Sequence, residues 1–200
     1  LRASSQNGDP LMAAIEAIDS FYVQVDVSSV TFTVPTGYQH LQLVASMRDS
    51  ETGNWGTLDQ VFNSENGAHY SHNFMYWYGT YEARASDINA AEARAYGMAV
   101  SDKAPWVPQQ VYGATVVTIP DYAHTTKNTS WHYFGGNGIG VTVDTTGTTA
   151  VWGAFAAIGG GALDNQASQP HSGLTTLKLR GDSGSLVRGF EATLYGLKSS

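Results

Sequence analysis

The chain contains no cysteine. That excludes a disulfide framework and any thiolate metal site, so stability has to come from core packing and from neighbouring subunits. Charge is scarce too, at 14% of residues, against about a quarter in an average globular chain. Ten Lys and Arg are scattered along 200 residues at a formal net charge of -7. No basic stripe exists to displace counterions from a phosphate backbone, and nucleic acid is not an expected partner. No apolar run approaches the ~20 residues that span a bilayer, and no basic region followed by an apolar one stands at the start. Neither membrane insertion nor secretion is therefore signalled, and the chain reads as soluble. Its start at Leu1 rather than Met suggests a processed or trimmed beginning.

What is present is glycine, at 22 residues, and aromatics, at 12%. Together with β-branched runs they describe many short strands joined by tight turns, in one domain at this length. Phe21 to Val34 alternates as one strand, or as two with a bend at Ser28-Ser29. The segment with Leu41, Leu43, Ala45 and Met47 on one face and Gln42 and Ser46 on the other has the period of a half-buried strand, with Phe32 and Leu41 sharing a core. Residues 58–63, 70–79, 111–119, 129–134, 138–143, 149–156, 173–179 and 187–197 read as further strands between Gly, Asn, Asp and Ser clusters. The expected fold is all-β, an antiparallel two-sheet sandwich, jelly-roll-like, over residues 21–200.

Two segments depart from this pattern. Residues 1–20 form a lead-in, helical or extended, because Asp9-Pro10 with apolar residues at Leu11, Ile15 and Ile18 has a helix-start signature. The alanines of Ala90 to Val100, interrupted by Gly97, carry helical propensity. Gly159 through His171 reads as a mobile surface loop.

The residues that invite a catalytic reading are few. Gly181-Asp182-Ser183-Gly184-Ser185 resembles the nucleophile turn of chymotrypsin-like and viral capsid serine proteases, and His40 and Asp87 precede it in that order. Seventeen residues follow Ser183, too few for the strands such a fold still needs, and the string equally suits a loose turn. His69 and His72 are three apart, which on a strand means opposite faces and not one zinc site. No carboxylate pair stands out for glycosidase chemistry. No catalytic residue, metal site or cofactor is expected. In Phe74-Met75-Tyr76-Trp77-Tyr78, alternation sends Phe74, Tyr76 and Tyr78 to one face and Met75 and Trp77 to the other. Core or subunit-interface burial is preferred there over an open carbohydrate platform. Trp55 and Trp106 are the candidate ligand-binding residues, on loops that could meet a glycan or protein.

Several segments, taken in order, carry a resemblance: Val30-Thr31-Phe32-Thr33-Val34-Pro35, Tyr38-Gln39-His40-Leu41-Gln42-Leu43, Phe62 to Tyr70, Ile119-Pro120-Asp121-Tyr122-Ala123-His124-Thr125-Thr126-Lys127 and Leu194-Tyr195-Gly196-Leu197-Lys198. This ordered set resembles a family of tailed-bacteriophage virion proteins, cyanophages included, over about residues 20–198. The resemblance implies a non-enzymatic structural role in a tail fibre, baseplate, head fibre or head decoration. It implies assembly in the host cytoplasm into the virion, with copies of itself as a homo-oligomer, a trimer being one form, and with other virion proteins. A host-surface glycan or receptor is a further implied partner. Asp121 and Lys127 are expected to tie a turn, and Tyr195 to pack at the sheet edge. The Ala-rich stretch Ala83 to Trp106 departs from the family pattern.

Overall fold

The computed structural model describes residues 15–50, 56–65, 67–78, 81–101, 112–125, 127–137, 142–143, 149–150, 155–163, 173–182 and 184–198. Its strands run in the order β1 (Ile15–Tyr22), β2 (Val30–Thr33), β3 (His40–Asp49), β4 (Gly56–Phe62), β5 (Tyr70–Tyr78), β6 (Tyr81–Ala90), β7 (Ala93–Ser101), β8 (Gly113–Ile119), β9 (Thr129–Asn137), β10 (Thr142–Val143), β11 (Thr149–Ala150), β12 (Phe155–Leu163), β13 (Thr176–Gly181) and β14 (Glu191–Leu197). No helix occurs among the described residues.

Eight strands form a large antiparallel sheet in the order β1-β14-β3-β8-β9-β12-β5-β6, and four form a small antiparallel sheet in the order β2-β13-β4-β7. The strands β10 and β11 make a separate two-stranded pairing. The chain repeatedly passes from one layer to the other, as in a jelly roll. At one corner the layers are joined by strand pairing, where Arg48 and Asp49 of β3 run parallel to Val100 and Ser101 of β7.

Alternation decides which face each strand buries. On β3, Leu41, Leu43, Ala45 and Met47 are buried while Val44 between them is exposed, and β8 and β9 repeat the pattern. The small sheet answers with Phe32, Leu58, Phe62, Leu177 and Leu179, none of which exposes any surface. Burying each such side chain stabilises by about 1.5–3 kcal/mol. Aromatic rings lock the layers together: Phe62 of the small sheet meets Trp131 of β9 edge-on at 5.6 Å and Tyr70 of β5 at 5.8 Å. The Tyr70 hydroxyl accepts from the Phe62 N–H at 2.9 Å and donates to the Glu65 carbonyl at 3.1 Å.

Two sequence expectations are corrected. The alanine segment is not a helix but β7, paired antiparallel with β4 at Gln60–Ala93, Asp59–Arg94 and Leu58–Ala95. Ala93 and Ala95 are fully buried, so their small size serves close packing between layers and overrides helical propensity. Gly159 to Leu163 is not loop but the end of β12, paired on both sides, with β9 and with β5; residues 164–171 lie outside the described residues. Of the lead-in expected over residues 1–20 as helical or extended, the described part is extended, Ile15–Tyr22 being an edge strand on β14, and residues 1–14 lie outside the described residues. Of the two readings of Phe21 to Val34, one strand or two, the chain takes the second, with the end of β1 and β2, and the exposed edge strand β6 had no counterpart in the expectations.

Candidate functional site

The protease-like residues are not gathered. His40 opens β3, where its Nδ1 accepts the Asp121 backbone N–H at 3.0 Å. Asp87 on β6 lies 3.3 Å from His72 Nε2 instead. Ser183 lies outside the described residues, but its neighbours are placed: Asp182 reaches Arg94 at 3.2 Å, and the Ser185 N–H donates to the Ser50 hydroxyl at 2.8 Å. Ser50 follows the far end of β3, ten residues and about 30 Å of extended chain from His40. The two neighbouring histidines also part company. His69 faces Glu65 at 3.9 Å, whereas His72 is buried on β5 with its pKa lowered, chiefly because burial penalises the imidazolium. Among the described residues, no three His, Asp or Glu side chains are placed to share a metal ion. Trp55 and Trp106 lie outside the described residues.

The segments that carry the resemblance do converge, at one end of the sandwich. Asp121 has φ 46°, a conformation that Asp tolerates better than most residues. That turn brings its N–H to His40 and its carboxylate within 3.8 Å of Lys127. The Tyr122 hydroxyl donates to the Pro35 carbonyl at 2.6 Å. From the other side, the Gln39 N–H donates to the Leu197 carbonyl at 2.9 Å, and the Tyr38 ring lies directly over Gly196, where any Cβ would collide with it. Lys198 closes the end by stacking over Tyr38 at 5.4 Å and pairing with Glu16 at 2.8 Å, while the Tyr38 hydroxyl donates to Glu16 at 2.8 Å. The hydrogen bond to Lys198 lowers the Glu16 pKa and raises that of Lys198. A shallow groove between Tyr38, Asp121, His124 and Lys198 is what remains open.

A second cluster was not visible in the sequence. Arg180, Asp59 and Arg94 stand in register across β13, β4 and β7. Asp59 exposes no surface and is flanked by Arg94 at 3.6 Å and Arg180 at 3.7 Å. Glu92 holds both guanidinium groups, at 2.8 Å and 2.7 Å. Burial, with the Glu92 charge, pushes Asp59 up to about 7, against the hydrogen bond from the Thr57 hydroxyl and the pull of Arg94. No substrate atom reaches a carboxyl this enclosed, so the cluster fastens the outer surface of the small sheet.

The third feature is the outer face of the large sheet. Phe74 is buried and Tyr76 stacks on Phe155 at 5.4 Å, while Met75 and Trp77 point outward as alternation requires. Registers then align exposed apolar residues across five strands: Val44 with Val116, Val116 with Phe134, Phe134 with Ile158, and Ile158 with Met75. Phe134 is 62% exposed and Ile158 48%. Comparison of the chain with protein-family models, curated proteins and solved structures finds no match.

Proposed function

We propose that this chain is a non-enzymatic virion structural protein of a tailed bacteriophage, of the tail-fibre, baseplate or head-decoration kind, which assembles into the particle with copies of itself and other virion proteins. The observation that carries the reading is the convergence at the end of the sandwich. Tyr38, His40, Asp121, Tyr122, Lys127, Gly196 and Lys198 come from three distant segments, and they bind backbone groups, a ring, one another and the Glu16 carboxylate of the edge strand. Residues committed to holding strands together are what a shape-giving module needs. A body closed on an aromatic core, without disulfides, suits a protein whose work is to occupy a fixed place in a larger assembly.

The test is location. Antibody raised against the purified chain should decorate intact particles, at the head surface or along the tail, and particle protein should contain the chain in a fixed copy ratio. Purified particles free of it would overturn the proposal.

A further inference from the structure

The exposed apolar row is one half of a relief. Two residues further along each strand, and therefore on the same face, runs a second row: Ser46 with Ala114, Ala114 with Gly136, Gly136 with Ala156, and Ala156 with Trp77. The first row is a ridge of Val44, Val116, Phe134, Ile158 and Met75. The second is a trough of small residues that ends at Trp77, and a shallow pocket lies between ridge and trough around Phe134, Gly136 and Ala156. Gly136 keeps the trough low, because a Cβ there would run into the Phe155 carbonyl oxygen. At the β6 edge the ridge continues into Arg84, paired with Met75, and the trough into Glu82, paired with Trp77.

We infer that this face binds the same face of a second copy of the chain, about a two-fold axis lying between the rows and parallel to them. The inference deepens the self-association in the proposed function, with which it shares that premise. Rotation about such an axis lays each ridge over the partner's trough at matching positions along the row. Phe134, the most exposed of the ridge side chains, then meets the partner's Gly136. Ile158 meets the partner's Ala156, Val116 meets the partner's Ala114, and Met75 meets the partner's Trp77, a favourable thioether–aromatic contact. At the edge Arg84 meets the partner's Glu82, twice per pair. A rotation about the perpendicular in-plane direction would set ridge on ridge, so relief and charge select the same axis.

The area is adequate. Val44, Met75, Trp77, Val116, Phe134 and Ile158 are each 37–62% exposed. Together they present on the order of 500 Å² of apolar surface, at the upper end of what monomers leave open. The flanking trough and charged edge bring the face toward the ~800 Å² per partner of a standard interface. Facing sheets pack with strands about 30° apart; contact is closest at the centre of the row, and the long Arg84 and Glu82 side chains reach across the offset at the edge.

Sedimentation of the full chain tests this. The wild type should be a dimer at micromolar concentration, and Phe134→Asp a monomer with an unchanged circular dichroism spectrum. Arg84→Glu and Glu82→Arg should each weaken the dimer about tenfold, since each sets like charges opposite one another. Mixed in equal amounts, these two variants should recover wild-type affinity as a heterodimer, visible by mass, because every edge contact is then complementary. Both positions are exposed, so neither change touches the core. A monomeric wild type overturns the inference, even for a chain found in particles. A dimer or trimer indifferent to all three variants, or no gain on mixing, also overturns it while leaving the virion role standing.

Discussion

Asp59 keeps a proton up to about pH 7 in the fold, whereas the same carboxyl in the unfolded chain ionises near 3.8. Between those values the native state binds the proton that the unfolded state has released, so this residue makes stability fall as pH rises. His72 acts in the opposite sense. Its native pKa is lowered below 6.5, so its contribution is present above that pH and is lost as pH falls. Asp59→Asn is expected to flatten the decline between about pH 4 and 7, measured as urea midpoints across that range; an unchanged slope would count against a buried neutral carboxyl. Asn63 makes a different prediction. At φ 53° it accepts from the Thr175 and Thr176 N–H groups at 2.7 Å and 3.2 Å and donates to the Gly173 carbonyl at 3.2 Å. Asn63→Ala loses both the bonds and the tolerance for positive φ and should cost about 2–4 kcal/mol in denaturant unfolding. Asn63→Gly, which keeps only the tolerance, should cost less.

Among the elements, β14 is the most constrained by a single contact. Gly196→Val would drive a side chain into the Tyr38 ring, separating it from Glu16 and Lys198. A loss of about 2 kcal/mol or more is expected, against less than about 0.5 kcal/mol for Thr193→Val on the same strand. A wild-type melting curve for Gly196→Val would show that the end is not packed as described. Strands such as β3, β8, β9 and β14 were legible because valine, leucine and aromatic residues alternate with polar ones. Of those that escaped, β7 and the end of β12 are built of alanine and glycine, whose small side chains signal helix or loop until neighbouring strands press on both sides, whereas β6 is a largely polar strand at the sheet's edge, paired with β5. The terminal cluster was partly legible, since Asp121 and Lys127 were expected to tie a turn. The arginine–carboxylate cluster and the apolar row were not. Alternation says that Val44, Phe134 and Met75 face outward, but only strand register says that they stand in one line.

At the scale of the molecule, the wide sheet has one side spent on the core and the other free for contact, which is how a chain lacking cysteine would gain from assembly what it does not gain from cross-links. The pairing order carries one more consequence. β14 lies between β1 and β3, so the first described strand has no partner until Glu191–Leu197 has been synthesised. Native structure therefore depends on closing the long loop from β1 to β14, a topology of high contact order for which refolding in milliseconds to seconds is expected. During translation the early strands wait, open-edged, for the one that joins them.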